Sequence, residues 1–350
     1  MNDLPTSRFP VSLIRRKTLL GVSTLTAAFL LPQLATGANT PHTARLGDVA
    51  VQGVQFKNQA IKMAGNIYSP KGLNKGEKHP AVVVVHPGGG VKEQAAGLYA
   101  QKLAEQGFVV LTFDASHQGA SGGMPRFLED PTKRVEDIRS AVDYLTTLAY
   151  VDVSRIGALG ICAGGGYAIK AATSERRIKS VATVSAVDIG AGTRKGWDGK
   201  APVADQITML EAVAKQRTAE AAGAAPMYVT YVPTTPDSTT PADLRDASDY
   251  YLTSRGRHPN APNKLLFASL DKMASFTALD QVDSLLIQPS LFIAGSSAGS
   301  LWHSQEAFQK AKGDKELFIV DGATHMTLYD GQEHVAVAMG KLSPFFKRTL

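Results

Sequence analysis

The chain has 350 residues, 44% hydrophobic and 19% charged, with 32 Gly and 18 Pro. Those proportions exclude a disordered tail, a collagen-like fibre and a coiled coil, and the length suffices for a large α/β domain with its own core. The formal charge of +6 gathers partly at the amino end, where Arg8, Arg15, Arg16 and Lys17 face only Asp3. Beyond residue 38 basic and acidic residues nearly balance, so nucleic acid is not an expected partner.

Arg15-Arg16-Lys17 precedes a largely apolar stretch over residues 19–31, then Pro32 and the small residues Ala35-Thr36-Gly37-Ala38. A basic segment, a short apolar segment and small residues before a cut predict a signal peptide over residues 1–38. The paired arginines point to the twin-arginine route, which places the mature protein in the periplasm or outside the cell. No later apolar run reaches the roughly 20 residues of a membrane span, so none is expected after processing. Cys162 is the single cysteine, so the chain cannot form a disulfide within itself.

Residues 49–56 and 60–68 alternate as an edge hairpin. Residues 81–85, almost purely β-branched, predict a strand buried on both faces and ending at His86-Pro87-Gly88-Gly89-Gly90. A helix is expected over 93–106, stopped by Gly107, then a strand over 108–113 ending at Asp114. A helix over 131–148 has Pro at its first turn. Strands over 155–161, 179–187, 290–294 and 316–320 follow, with helices from Ala163 and about Gln332. Strands alternating with helices imply right-handed crossovers and a doubly wound, mostly parallel sheet. From about 190 to 284 the alternation fails: helices are expected over 203–222 and 242–255, with a Thr/Pro-rich stretch over 232–241. So long an excursion reads as a cap inserted over the carboxyl edge of the sheet.

Gly160-Ile161-Cys162-Ala163-Gly164 falls where a strand meets a helix. A nucleophile lifted above a sheet needs glycines beside it, because the sharp turn crowds the backbone. A helix amino terminus also favours the thiolate, which predicts a thiol pKa below its usual ~8.5. The base is expected after the last strand, where Asp321-Gly322-Ala323-Thr324-His325 places His325 on the same edge. His303 and His334 read as surface histidines. No metal-ligand spacing is present, and no metal or cofactor is expected.

Gly-x-Cys-x-Gly, His86-Pro87-Gly88-Gly89-Gly90, the loop from Asp114 to Gly123 and Gly322-Ala323-Thr324-His325 occur in one order. Together they resemble the α/β-hydrolase superfamily over residues 45–350, and within it dienelactone-hydrolase-like enzymes with a cysteine nucleophile. The chain is also similar to fungal polyketide acyltransferases on that scaffold. The resemblance implies a triad acid after the strand at 291–294, yet Gly295-Ser296-Ser297-Ala298-Gly299-Ser300 contains no carboxylate. Asp188, at the end of the preceding strand, is the substitute, with Asp280, Asp283 and Asp321 as weaker candidates. The oxyanion hole is expected from the Ala163 N–H and one from Gly89 or Gly90. His117 is a candidate substrate contact, and Glu93 either contacts the thiol or caps a helix. These residues predict hydrolysis of an ester, lactone or thioester through an acyl-Cys162 intermediate. The alternatives are acyl transfer to an alcohol or amine and, because the acid is missing, a non-catalytic binding protein. The expected partner is a small acyl compound, and the oligomeric state stays open.

Overall fold

The computed structural model describes residues 43–350; the expected signal peptide lies outside them. In chain order the strands are β1 (Thr43–Leu46), β2 (Val49–Asn58), β3 (Ile61–Pro70), β4 (His79–Val85), β5 (Val109–Phe113) and β6 (Val151–Ile161). They continue with β7 (Ile178–Val184), β8 (Tyr228–Val229), β9 (Leu265–Leu266), β10 (Ser290–Gly295) and β11 (Lys315–Val320). Nine of them form one sheet in the order β1-β2-β3-β5-β4-β6-β7-β10-β11. The pairings from β1 to β5 are antiparallel, and those from β5 to β11 are parallel.

Strand β4 shows why the sheet is buried on both faces. Val82 and Val84 feed one core, which holds Tyr99, Leu103, Leu342 and Phe346 from α1 (Ala95–Glu105) and the carboxyl-terminal helix. Ala81, Val83 and Val85 feed the other, with Ile138 and Tyr167 from α2 (Pro131–Thr146) and α3 (Ala163–Ala172). Successive side chains of a strand point to opposite faces, so an unbroken apolar run requires a helical layer on each side. Helix α2 begins where the Asp130 side chain accepts from the Thr132 and Lys133 amides and Pro131 needs no donor partner. Strand β7 stops at Val184, short of the expected 187. Ser185 turns through φ 48, and the Val187 amide donates to Cys162 O at 2.8 Å, drawing this segment across the turn that holds Cys162.

Between β7 and β10 lie α4 (Ile189–Lys195), α5 (Val203–Ala221), β8, α6 (Ala242–Leu252), β9, α7 (Ser269–Ser275) and α8 (Val282–Leu285). Strands β8 and β9 make a separate two-stranded sheet and join Val213, Phe267, Leu270 and Met273 in a small core of their own. The fold closes with α9 (Leu301–Lys310), α10 (Thr327–Asp330) and α11 (Gln332–Thr349). Among the described residues no helix is long and apolar enough to cross a membrane.

Candidate active site

Cys162 sits between β6 and α3 at φ 56, ψ −125, a left-handed conformation that a side chain adopts only when its surroundings impose it. The flanking glycines make room for it. A Cβ on Gly160 would stand 2.2 Å from Gly164 O, and one on Gly164 would stand 2.3 Å from Val85 O. Removing both Cβ atoms lets α3 begin directly against the ends of β4 and β6, so the thiol projects at the carboxyl edge of the sheet.

The backbone amides of Ala163 and Gly88 lie on the thiol's side of the turn and favour its charged form. Ala163 was expected. Of the expected glycines, Gly90 turns its amide back to Pro87 O at 3.1 Å, and it is Gly88 that acts on the thiol. Gly89 serves another purpose: at φ +69 it passes under the Tyr231 ring, which a Cβ would meet at 2.6 Å. The Tyr231 hydroxyl donates to Glu129 at 2.9 Å, and Glu129 also accepts from Tyr167 at 2.6 Å. Arg134, 3.6 Å from Glu129, balances its charge and donates to His86 O at 2.8 Å. This buried network braces the glycine turn from beneath.

His325 is 1% exposed. Its Nδ1 lies 2.6 Å from Ser300 Oγ and its Nε2 lies 3.2 Å from the Tyr329 hydroxyl. The Trp197 ring packs against it edge-on at 4.9 Å. Asp188 is therefore not its partner. The Asp188 carboxylate accepts from the Gly190, Ala191 and Ala278 amides at 3.0, 3.2 and 3.0 Å, capping α4 and tying down the start of the return to β10. The three weaker candidates are no nearer the role: Asp280 faces Lys170, Asp321 accepts from Ser296, and neither ring nitrogen of His325 reaches a carboxylate. The carboxyl-free loop after β10 instead supplies a hydroxyl. The Asp243 carboxylate of α6 holds that loop, accepting from the Gly299 amide and from Trp197 Nε1, each at 2.7 Å.

Burial pushes the Cys162 thiol up, against the expectation of a lowered value. The helix-end amide does favour the thiolate, as do Gly88, Tyr329 and the charge of Arg134, but burial outweighs them. Burial likewise pushes His325 down to about 4, although Asp243 and Asp246 pull it upward. At neutral pH the pair rests as thiol and neutral imidazole.

Glu93 and His117 stand apart from this pair. Lys92 bonds Glu93 at 2.6 Å and Asp114 at 3.0 Å, so Glu93 is spent on an ion pair beside the loop and makes no bond to the thiol. His117 Nδ1 contacts Pro125 O at 3.0 Å, locking the loop onto itself. His303, expected at the surface, is 2% exposed and stacks on Trp302 with ring centroids 3.5 Å apart, because α9 turns it inward toward His325. Among the described residues no group of three or more His, Cys, Asp or Glu could hold a metal.

A mostly parallel sheet, a left-handed turn with two amides on its thiol's side and a histidine on the same edge define an α/β-hydrolase. The dienelactone hydrolase family profile matches residues 63–206. The uncharacterized protein YcjY of Escherichia coli is 45% identical over 294 residues, 84% of this chain and 96% of its own length. The chain belongs to the dienelactone hydrolase family. The crystal structure of the hypothetical protein PA2218 from Pseudomonas aeruginosa superposes with a TM-score of 0.82 at 34% identity, covering 91% of this chain and 99% of that one. The polyketide transferase claH of Penicillium crustosum is 26% identical over 307 residues, 85% of this chain and 97% of its own length.

Proposed function

We propose that the protein hydrolyses an ester, lactone or thioester through an acyl-Cys162 intermediate. The observation that carries this reading is Cys162 in its strained turn at the start of α3, crowded by Gly160 and Gly164, with His325 on the same edge. A carbonyl carbon attacked by its sulfur would place its developing oxyanion toward the Ala163 and Gly88 amides, each worth roughly 10²- to 10³-fold in rate. The neutral imidazole of His325 is in the correct state to receive the thiol proton, and Ser300 orients its far nitrogen. His325 then returns the proton to the departing alcohol or thiol, and activates the water that releases the acid.

Acyl transfer to an alcohol or amine is the second reading, favoured by the transferase name of claH and by its match over nearly its whole length. The test is a panel of activated esters, lactones and thioesters with mass spectrometry of the intact protein. Turnover with a covalent acyl adduct on Cys162 is expected, and an added alcohol or amine that captures the acyl group identifies a transferase. Turnover by Cys162→Ala at the parent rate overturns the assignment; no adduct and no turnover with any class leaves the scaffold as a binding protein. We also infer export of the mature chain through residues 1–38, on the strength of the paired arginines and the apolar stretch after them. Replacing Arg15 and Arg16 by Lys is expected to hold precursor in the cytoplasm; normal export of that variant rules out the twin-arginine route.

A further inference from the structure

Between thiol and imidazole stands a third group. Tyr329, in α10, follows His325 by four residues, and its hydroxyl lies 3.2 Å from His325 Nε2. The same hydroxyl stands beside the Cys162 thiol, where it favours the thiolate, and beside the Tyr251 hydroxyl. The Tyr329 ring is 1% exposed. Tyr250 packs edge-on against it at 5.3 Å, Tyr251 at 6.4 Å, and His325 lies at 5.4 Å. Three rings on a fully buried phenol fix where its oxygen sits. This oxygen stands beside both the thiol and Nε2 of His325, and among the described residues no hydrogen bond joins Cys162 to His325 directly.

We propose that Tyr329 is a catalytic residue that relays the thiol proton to His325. The proposal rests on the reading of Cys162 as nucleophile. As sulfur attacks the carbonyl carbon, its S–H bond breaks and that electron pair forms the S–C bond. The proton passes to the Tyr329 oxygen while the tyrosine's own O–H proton passes to Nε2, so Tyr329 ends neutral. The carbonyl π pair moves to oxygen, facing the Ala163 and Gly88 amides. The tautomer this requires carries its hydrogen on Nδ1, donated to Ser300 Oγ, which leaves the Nε2 lone pair toward Tyr329. The imidazolium that forms is countered by the carboxylates of Asp243 and Asp246.

Because Cys162 is the chain's single cysteine, its alkylation by iodoacetamide reads proton removal without knowledge of the substrate. At pH 7, His325→Ala and Tyr329→Phe are each expected to slow alkylation at least about tenfold, general-base contributions being ~10²- to 10⁴-fold. The double variant is expected to be no slower than either single one, as for groups acting in series. Slow alkylation in His325→Ala with parent-like or faster alkylation in Tyr329→Phe overturns the relay and leaves Tyr329 a plug, the nucleophile reading intact. Parent-like rates in both variants overturn the relay together with the role of His325. Should Tyr329→Phe fail to fold, the parent protein decides: alkylation rates in mixtures of light and heavy water are expected to curve with deuterium content, two protons moving together. A straight line, one proton in flight, defeats the proposal.

Discussion

Ser300, Tyr329 and Asp188 separate what one residue's type announces from what its surroundings make of it. Asp188 carries the right functional group, yet it lies four residues past the end of β7 and is engaged by three backbone amides. Asp188→Ala is therefore expected to lower stability by about 1–2 kcal/mol, the usual cost of losing a helix cap, while kcat stays near the parent value. Urea unfolding and steady-state turnover measured side by side check this; a collapse of kcat at unchanged stability would make Asp188 a partner of the proposed Cys162–His325 pair. Ser300→Ala removes the Nδ1 partner at 2.6 Å. With a neutral hydrogen bond worth about 1 kcal/mol net, kcat/KM is expected to fall about five- to tenfold. A parent-like value in Ser300→Ala means that packing against Trp197 alone orients the ring.

At the scale of elements, the turn holding Cys162 was legible and its electrostatics were not. Glycines at 160 and 164 announce a backbone too crowded for Cβ atoms, and the structure supplies the obstacles: Gly164 O for one, Val85 O for the other. Gly164→Ala forces a carbon to within 2.3 Å of a carbonyl oxygen that cannot move without tearing β4 from the sheet. It is expected to cost at least about 3 kcal/mol, seen as a lowered thermal midpoint or loss of soluble protein; a midpoint within a degree of the parent's contradicts the stated crowding. The thiol pKa was misjudged because a helix end is visible in sequence, whereas the aromatic wall of Tyr251 and Tyr329 that desolvates the sulfur comes from distant segments. Tyr329 itself left a usable signal, standing four residues after His325 where a single helical turn brings two side chains together. The contributions of Trp197 and Asp243 left none, since they lie in the inserted segment and their pairing with Gly299 exists only after that segment docks.

For the molecule as a whole, the parallel sheet with its two helical layers follows from runs such as residues 81–85, whose burial on both faces admits little else. The insertion after β7 was legible as a break in alternation, but its surface-facing helix α5, with only Val213 buried, carries little apolar pattern from which to place it. What that packing does is enclose charge-changing groups, and global stability should report it. Burial holds His325 at about 4 and His303 at about 3, against about 6.5 in an unfolded chain. Both stay neutral in the folded protein while the unfolded chain binds protons below 6.5, so their contribution is complete above that pH. It is lost as pH falls, until about 4 for His325 and about 3 for His303. At about 1.4 kcal/mol per pH unit, each should remove about 2 kcal/mol between pH 7 and pH 5. Asp137 and Asp188, raised by burial, act in the opposite sense. Chemical unfolding at pH 7 and pH 5 is expected to show the loss in the parent and roughly half of it in His303→Asn, a residue whose ring makes no hydrogen bond in the fold. Equal stability of the parent at the two pH values means that water reaches both rings, and that His325 is not held neutral by burial.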